Sequence, residues 1–274
     1  MSALAHLRWL YRHPFVRGRR LSACASWIGW QVGSRALGRR HFGWVDGLKL
    51  AARPGLHGVT ANVGLGLAEP EAMGFLLHYL RPGDRMLDVG ANAGSYTLLA
   101  ASRGAKVTAF EPNPLPRAFL ERSLALNGLA AQVVAAAVSA EAGSVAMDLS
   151  GDATGHVAAE GVSVPAVTLD GLPGPAPTLV KIDVEGHEAA VIAGGRATLG
   201  AAAAAIVESW GAAPLHASLA LLGLRPVAYD PATRRLSPRD DFTGAQSVLF
   251  LRDLRDAAER VASGAAFRLH GRRY

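Results

Sequence analysis

The stretch RMLDVGANAGSYTLLA, residues 85 to 100, constrains the fold more than any other part of the chain. Apolar residues flanking one acid form a short strand, glycines at 90 and 94 form a turn with little side-chain bulk, and a helical pattern follows at once. A strand that runs through a glycine turn into a helix is a βα unit, and from about residue 70 the chain repeats that alternation. Strands read at 85–89, 106–110, 132–138, 179–183 and 204–208, and helices at 95–102, 114–126 and 187–193, with Gly104 and Gly128 as helix stops. The pattern predicts an α/β fold with a doubly wound, mostly parallel sheet. RPVAYD and AQSVLFLRD stand too close for a crossover helix, so they should pair antiparallel at the sheet edge and make the last strand antiparallel. GSVAMDLS and VSVPAVTLDGL predict a small β insertion between the third and fourth core strands.

The glycine turn also predicts a ligand. Free N–H groups at a helix start favour a carboxylate or phosphate. A dinucleotide fingerprint needs G-x-G-x-x-G, but counting from Gly90 the next two glycine positions hold Asn92 and Ser95. Asp88 beside the turn repels a pyrophosphate and suits a ligand that carries an amine next to its carboxylate, as S-adenosylmethionine does. The next strand ends in VTAFEPNP and places Glu111 at a strand tip, where a carboxylate can accept both ribose hydroxyl protons.

Taken together, these residues resemble the FkbM family of S-adenosylmethionine-dependent methyltransferases. The resemblance runs from about residue 60 to 253 and rests on GLAEPEAMGFLLHYLRPGDRMLDVGANAGSYTLLA, AFEPNP, LVKIDVEGHE, the VES strand end and YDPATRRL, in that order. It implies a class I methyltransferase (Rossmann-like) fold and methyl transfer to an oxygen, usually a hydroxyl of a sugar, polyketide or other metabolite. By the same resemblance Asp88, Gly90, Asn92 and Gly94 line the methionine end of the cofactor, Glu111 with Pro112 the ribose, and Ala137 and Val138 the adenine. Two positions depart from the family pattern: Val63 stands where an aromatic residue is common, and Gln246 where asparagine is expected.

Methyl transfer to a hydroxyl needs alignment and a proton acceptor. In LVKIDVEGHEAA, Asp183 ends the fourth core strand and should face the methyl group, since ligands of open α/β sheets sit beyond the carboxyl ends of strands. His187 lies four residues on, and Glu208 ends the fifth strand, near Asp183. His156, in the β insertion, is a further candidate base or acceptor-binding group. A metal site built from Asp183, Glu185, His187 and Glu208 is the rival reading, although D-x-E-x-H matches no dedicated metal motif and no metal is assigned. Glu188 and Glu185 fit a helix N-terminus, while Glu69 or Glu71 caps a helix or Glu69 reaches the cofactor.

Charge divides the chain. Residues 1–45 hold eight arginines and no acid, so the overall net charge of +6 leaves −2 for the rest, as 6 − 8. This defines a basic extension over 1–66 ahead of a methyltransferase domain over 67–274. Clustered arginines attract an anionic membrane face, an acidic glycan or nucleic acid, or else form a solvated helical surface. Leu21, Cys24, Ala25, Ile28 and Val32 recur at helical spacing and predict an amphipathic helix, with its tryptophans packed on the main domain or at a lipid surface. The fourth strand end reads DVEG in place of the aromatic loop of base N-methyltransferases, which favours a sugar or glycan acceptor, lipid-linked or free, over nucleic acid. No apolar run reaches the roughly 20 residues of a bilayer span, and arginines interrupt every candidate secretory core. With Cys24 as the one cysteine, no disulfide within the chain can form, and the cytoplasm is the expected compartment.

Overall fold

The computed structural model describes residues 13–16, 18–36, 38, 40–149, 155–209, 212–242 and 245–274. Arg8, Arg12, Arg17 and Arg39 of the basic arm lie outside them. The main sheet has eight strands: β1 (Arg85–Val89), β2 (Lys106–Phe110), β3 (Gln132–Val134), β4 (Leu179–Ile182), β5 (Ala204–Glu208), β6 (Arg225–Asp230), β7 (Arg235–Pro238) and β8 (Ser247–Leu251). Their spatial order is β7-β6-β8-β5-β4-β1-β2-β3. Strands β1 to β5 pair parallel, and β8 runs antiparallel to both β5 and β6. This is the expected doubly wound class I arrangement.

Period-2 alternation gives the central strands β1, β4 and β5 two buried faces. In β1, Met86 joins the core beneath the helices Pro70–Tyr79 and Ser95–Ser102, whereas Leu87 and Val89 join the core beneath Glu188–Ala193 and Ala213–Leu221. Helix boundaries follow local chemistry. Asn113 caps Pro114–Asn127 by accepting the Leu115 N–H at 3.1 Å, Pro114 needs no donor at the first position, and Gly128 closes the helix at φ +61°.

Three expectations change. The β6/β8 pair does not form the sheet edge: β8 inserts between β5 and β6, and β7 forms the edge. Val248 to Leu251 are all buried and need neighbours on both sides, whereas the half-exposed β7 ends in Pro238, which an edge tolerates. The third strand stops at Val134, and Ala137–Val138 leave to pair with Val162–Val167 in a separate four-stranded sheet, the predicted insertion.

The third change concerns the helix Arg20–Ala36. Its buried residues are Ala23, Trp30, Gly33 and Ser34, while Leu21, Ile28 and Val32 are 89%, 55% and 58% exposed. Small residues win the inner face because the backbones meet there: a Cβ on Gly64 would stand 2.6 Å from the Ala23 carbonyl oxygen. Trp30 packs inward, edge-on to Phe42. Nor does packing break after residue 66, since Trp44, Leu50, Leu56 and Val59 share one buried cluster with Phe75 and Tyr79.

Candidate active site

Strand order reverses between β1 and β4, and there a cavity of about 590 Å³ opens beyond the strand ends. Glu69, Gly90, Asn92, Glu111, Pro112, Ala137, Val138, Asp183 and His187 line it, as read from the sequence; Asp88, Gly94, Glu208 and His156 do not. Met147, Gly155 and Val157 of the insertion form part of the wall, as do Gly58 to Ala61 from the segment before the domain.

The glycine turn is built for close packing. At Gly90, with φ +74°, a Cβ would fall 1.7 Å from the Asp183 carbonyl oxygen, so no side chain fits. Its N–H groups are not free for an anion, contrary to expectation. Gly90 and Ala91 donate to the Phe110 carbonyl at 3.1 and 3.0 Å, Asn92 to Glu111 Oε2 at 2.8 Å, Ala93 to Asn92 Oδ1 at 2.7 Å and Gly94 to the Ala91 carbonyl at 2.9 Å. Gly94 starts the helix at φ +86° and lets it approach Leu120, off the cavity. Asp88 is fully buried beneath the turn, where the Thr97 hydroxyl donates to it at 2.6 Å. Its position inside β1, facing the helix Ser95–Ser102, removes it from the ligand.

Glu111 stands where a ribose carboxylate was expected. It is 7% exposed, and each oxygen accepts one backbone N–H, from Asn92 and from Asn113, both at 2.8 Å. Burial nevertheless pushes its carboxyl up to about 7, against those two hydrogen bonds.

On the other wall, a buried ammonium stands among carboxyl groups. Lys181 of β4 stands opposite Asp88 of β1 in register. Its Nζ lies 2.9 Å from Asp183 Oδ2, 3.0 Å from the Gly90 carbonyl, 3.9 Å from Asp88 Oδ1 and 5.2 Å from the centre of the Tyr96 ring. Burial works against the charged form of Asp183, but Lys181 outweighs it, with hydrogen bonds from Glu208 and Lys181, and the carboxyl is held below its ordinary range. Glu208 moves the opposite way: burial, then the charge of Asp183, raise it, and it stays protonated as the hydrogen-bond donor to Asp183. Gln246 donates to Glu208 Oε1 at 3.0 Å. Glu69 does not cap its helix with its side chain. It turns into the cavity, accepts the hydroxyls of Tyr96, at 2.9 Å, and Ser247, and is raised first by burial and then by Asp183. Glu71 pairs with Arg239 and accepts the Tyr229 N–H.

Lys181, Tyr96 and Ser247 were missed in the sequence. The available signal was a lone lysine in the buried strand LVKI two positions before Asp183. Histidine placement also differs. The His187 ring lines the cavity but bonds Ser139 Oγ at 2.9 Å, beside Val138 and away from the carboxyl pair. Gly186 and the left-handed Glu185, at φ +53°, delay the helix until Glu188 and turn His187 aside. Glu188 accepts the N–H groups of Val184 and Gly186 and so fixes that turn. His156 is exposed outside the cavity. Of the four rival metal ligands, Asp183, Glu185 and Glu208 converge within 4.8 Å, without His187. Val63 is buried and faces a second cavity behind the helix Arg20–Ala36.

Residues 88–218, which include the end of β1, the turn, Glu111, Lys181, Asp183 and Glu208, match the family model described as the methyltransferase FkbM domain. The match spans just under half of the chain. A curated relative, the 31-O-demethyl-FK506 methyltransferase FkbM of Streptomyces tacrolimicus, is 46% identical over 77 residues, 27% of this chain. The match spans 30% of that relative's length. Among solved structures, a methyltransferase FkbM from Methylobacillus flagellatus aligns at TM-score 0.41 and 15% identity over 63% of this chain and 44% of the other. A Pyrococcus abyssi tRNA (uracil-54, C5)-methyltransferase in complex with S-adenosyl-L-homocysteine aligns at 0.44 and 11% over 78% and 44%. The fold rests on the chain's own strand order.

S-adenosylmethionine is the cofactor of this class, and the cavity fits it on two observations. Glu111 keeps lone pairs for hydroxyls after taking its two backbone N–H groups. Across the cavity, Glu69 turns its carboxyl into the open space, and after taking the Tyr96 and Ser247 hydroxyls its oxygens keep lone pairs that can accept from a ligand's ammonium group.

Proposed function

We propose that this chain is an S-adenosylmethionine-dependent O-methyltransferase whose acceptor is a hydroxyl of a sugar, a glycan or a related metabolite. The observation that carries this reading is the Asp183–Glu208 pair at the tips of neighbouring strands, held by Lys181 across from Glu111. S-adenosylmethionine, when bound, supplies an electrophilic methyl group on a sulfonium.

The chain's own residues divide the remaining work. Glu111 accepts the ribose hydroxyls, and Ala137 and Val138 border the adenine. Lys181 neutralises Asp183 in part and fixes its carboxylate, so one oxygen faces the cavity with little reorientation. Asp183 orients the acceptor hydroxyl and takes its proton, with the hydrogen bond from Glu208 and the charge of Lys181 stabilising the carboxylate before transfer. Met147 and Val157 of the insertion exclude water over the acceptor.

A second reading, a polyketide or other secondary-metabolite acceptor, is favoured by the printed name of the Streptomyces relative. A lipid-linked glycan is a third source of the same hydroxyl chemistry, and action in the cytoplasm is part of the proposal. Methyl-labelled S-adenosylmethionine should be offered with free sugars, lipid-linked oligosaccharides and hydroxylated macrolactones. Label recovered as an alkali-stable methyl ether supports O-methylation, and the panel member that carries it selects the acceptor class. Label on nitrogen or nucleic acid, or a calorimetric preference for NAD over S-adenosylhomocysteine, refutes the reading.

A further inference from the structure

The helix Arg20–Ala36 turns apolar side chains to solvent without using them inside the molecule. At about 100° per residue, Leu21, Ile28 and Val32 fall within about 40° of one another, on the side opposite Ala23, Trp30 and Ser34. All three are more than half exposed, Leu21 almost completely, while the buried side holds small residues and one tryptophan. A helix that packed only on its own domain would have the reverse pattern.

The charge around this stripe is of one sign. Arg20 and Arg35 stand at the two ends of the helix, which contains no acid, and both are exposed. The C-terminal hairpin adds to them from the far end of the sequence. Arg268, Arg272 and Arg273 are exposed on it, and Arg272 comes within 3.6 Å of the position a Cβ on Gly18 would take. The Arg19 guanidinium, donating to the Gly64 carbonyl at 3.0 Å, lies in the same neighbourhood. Arginines 250 positions apart in sequence thus collect around one end of an outward apolar stripe. Apolar side chains flanked by arginine fit a surface with anionic headgroups above an acyl region; neither a hydrophobic protein groove nor a phosphate backbone uses both parts.

We propose that the outer face of Arg20–Ala36, with the arginines of the C-terminal hairpin, docks this protein on an anionic lipid surface. The same helix rests on Gly64, and the segment leading to that glycine, Gly58 to Ala61, walls the main cavity. Docking therefore sets the cavity close to the lipid surface. The proposal does not depend on methyl transfer, and its test reads binding alone.

The full chain should be sedimented with vesicles of phosphatidylcholine containing about a third phosphatidylglycerol, and with phosphatidylcholine alone. The expected result is co-sedimentation with the anionic vesicles at 0.1 M salt and at least tenfold weaker binding to the neutral ones. Ile28→Asp with Val32→Asp should weaken anionic-vesicle binding at least tenfold with an unchanged thermal midpoint, because both sites are exposed. Arg272→Gln with Arg273→Gln should weaken it by about fivefold or more, the size expected for arginines near an anionic surface. Equal binding to both vesicles, no binding, or binding that survives the Ile28 and Val32 changes overturns the proposal. So does a dimer, or a complex with duplex RNA, that is lost in those same variants.

Discussion

Glu111 and Asp183 are carboxylates just past the tips of strands β2 and β4 of one sheet, on opposite walls of one cavity, yet their charge is governed in opposite directions. Glu111 is held by two backbone N–H groups and pushed up to about 7 by burial. Asp183 is held by the side chains of Lys181 and Glu208 and pushed below its usual range, although burial acts on it as well. Backbone amides orient a carboxylate without contributing a full charge; a buried ammonium at 2.9 Å does both. Topology sets where the two acids stand, and their nearest neighbours set which is ionised at neutral pH. On the proposed reading, the first holds the cofactor and the second serves the reaction.

The largest expected effect tests that division on the Asp183 side. Asp183→Asn keeps the shape but removes the proton acceptor, so turnover should fall ~10²–10⁴-fold, the range of a lost general base. Affinity for S-adenosylhomocysteine, measured by calorimetry, should stay within about threefold, because the variant removes no hydrogen bond assigned to the cofactor. If affinity and turnover collapse together, Asp183 belongs with Glu111 as a cofactor ligand, and the contrast between the walls disappears.

Glu111→Ala should show the converse with a smaller effect. Hydrogen bonds to a charged group contribute ~1.5–3 kcal/mol each, so loss of even one ribose contact predicts ~10–150-fold weaker binding of S-adenosylhomocysteine. Turnover at saturating cofactor should remain within a few-fold of the parent. A variant that binds normally would place the ribose elsewhere.

The legibility of the two walls differed for the same physical reason. Glu111 follows from local sequence: a strand of known length ends, a proline turn follows, and the carboxylate has to stand at the tip. The core strands β1, β2 and β5 were readable because strands buried on both faces read as short, mostly apolar runs. The opposite wall joins Glu69, Tyr96, Lys181, Glu208 and Ser247 from five separate elements, and no local pattern specifies which side chains converge. The same limit applies to β8, whose insertion between β5 and β6 is a nonlocal pairing choice. It applies again to the helix Arg20–Ala36, where periodicity marked an apolar stripe but carried no information about which side meets the domain. The anion reading of the glycine turn failed for a subtler reason: Phe110 and Glu111, from the end of the next strand, take the N–H groups of Gly90, Ala91 and Asn92 ahead of the helix start.

The smallest expected effect concerns pH and again separates the two acids. Ribose hydroxyls donate to the ionised form of Glu111, whose carboxyl is raised to about 7, so binding below that pH must first release a proton. Affinity for S-adenosylhomocysteine should therefore be flat above pH 7 and fall toward about tenfold per pH unit below it. Folding of the ligand-free protein carries the opposite sign: between the ordinary glutamate range and pH 7 the folded state holds the extra proton, so this group costs stability as pH rises through that window. Glu111→Gln cannot titrate and should flatten both dependences, measured by calorimetry and thermal unfolding across pH 5 to 8. Asp183→Asn should leave the binding profile unchanged in this range, since the Asp183 carboxyl is already ionised throughout it. A binding profile that flattens in Asp183→Asn and persists in Glu111→Gln would exchange the roles of the two walls.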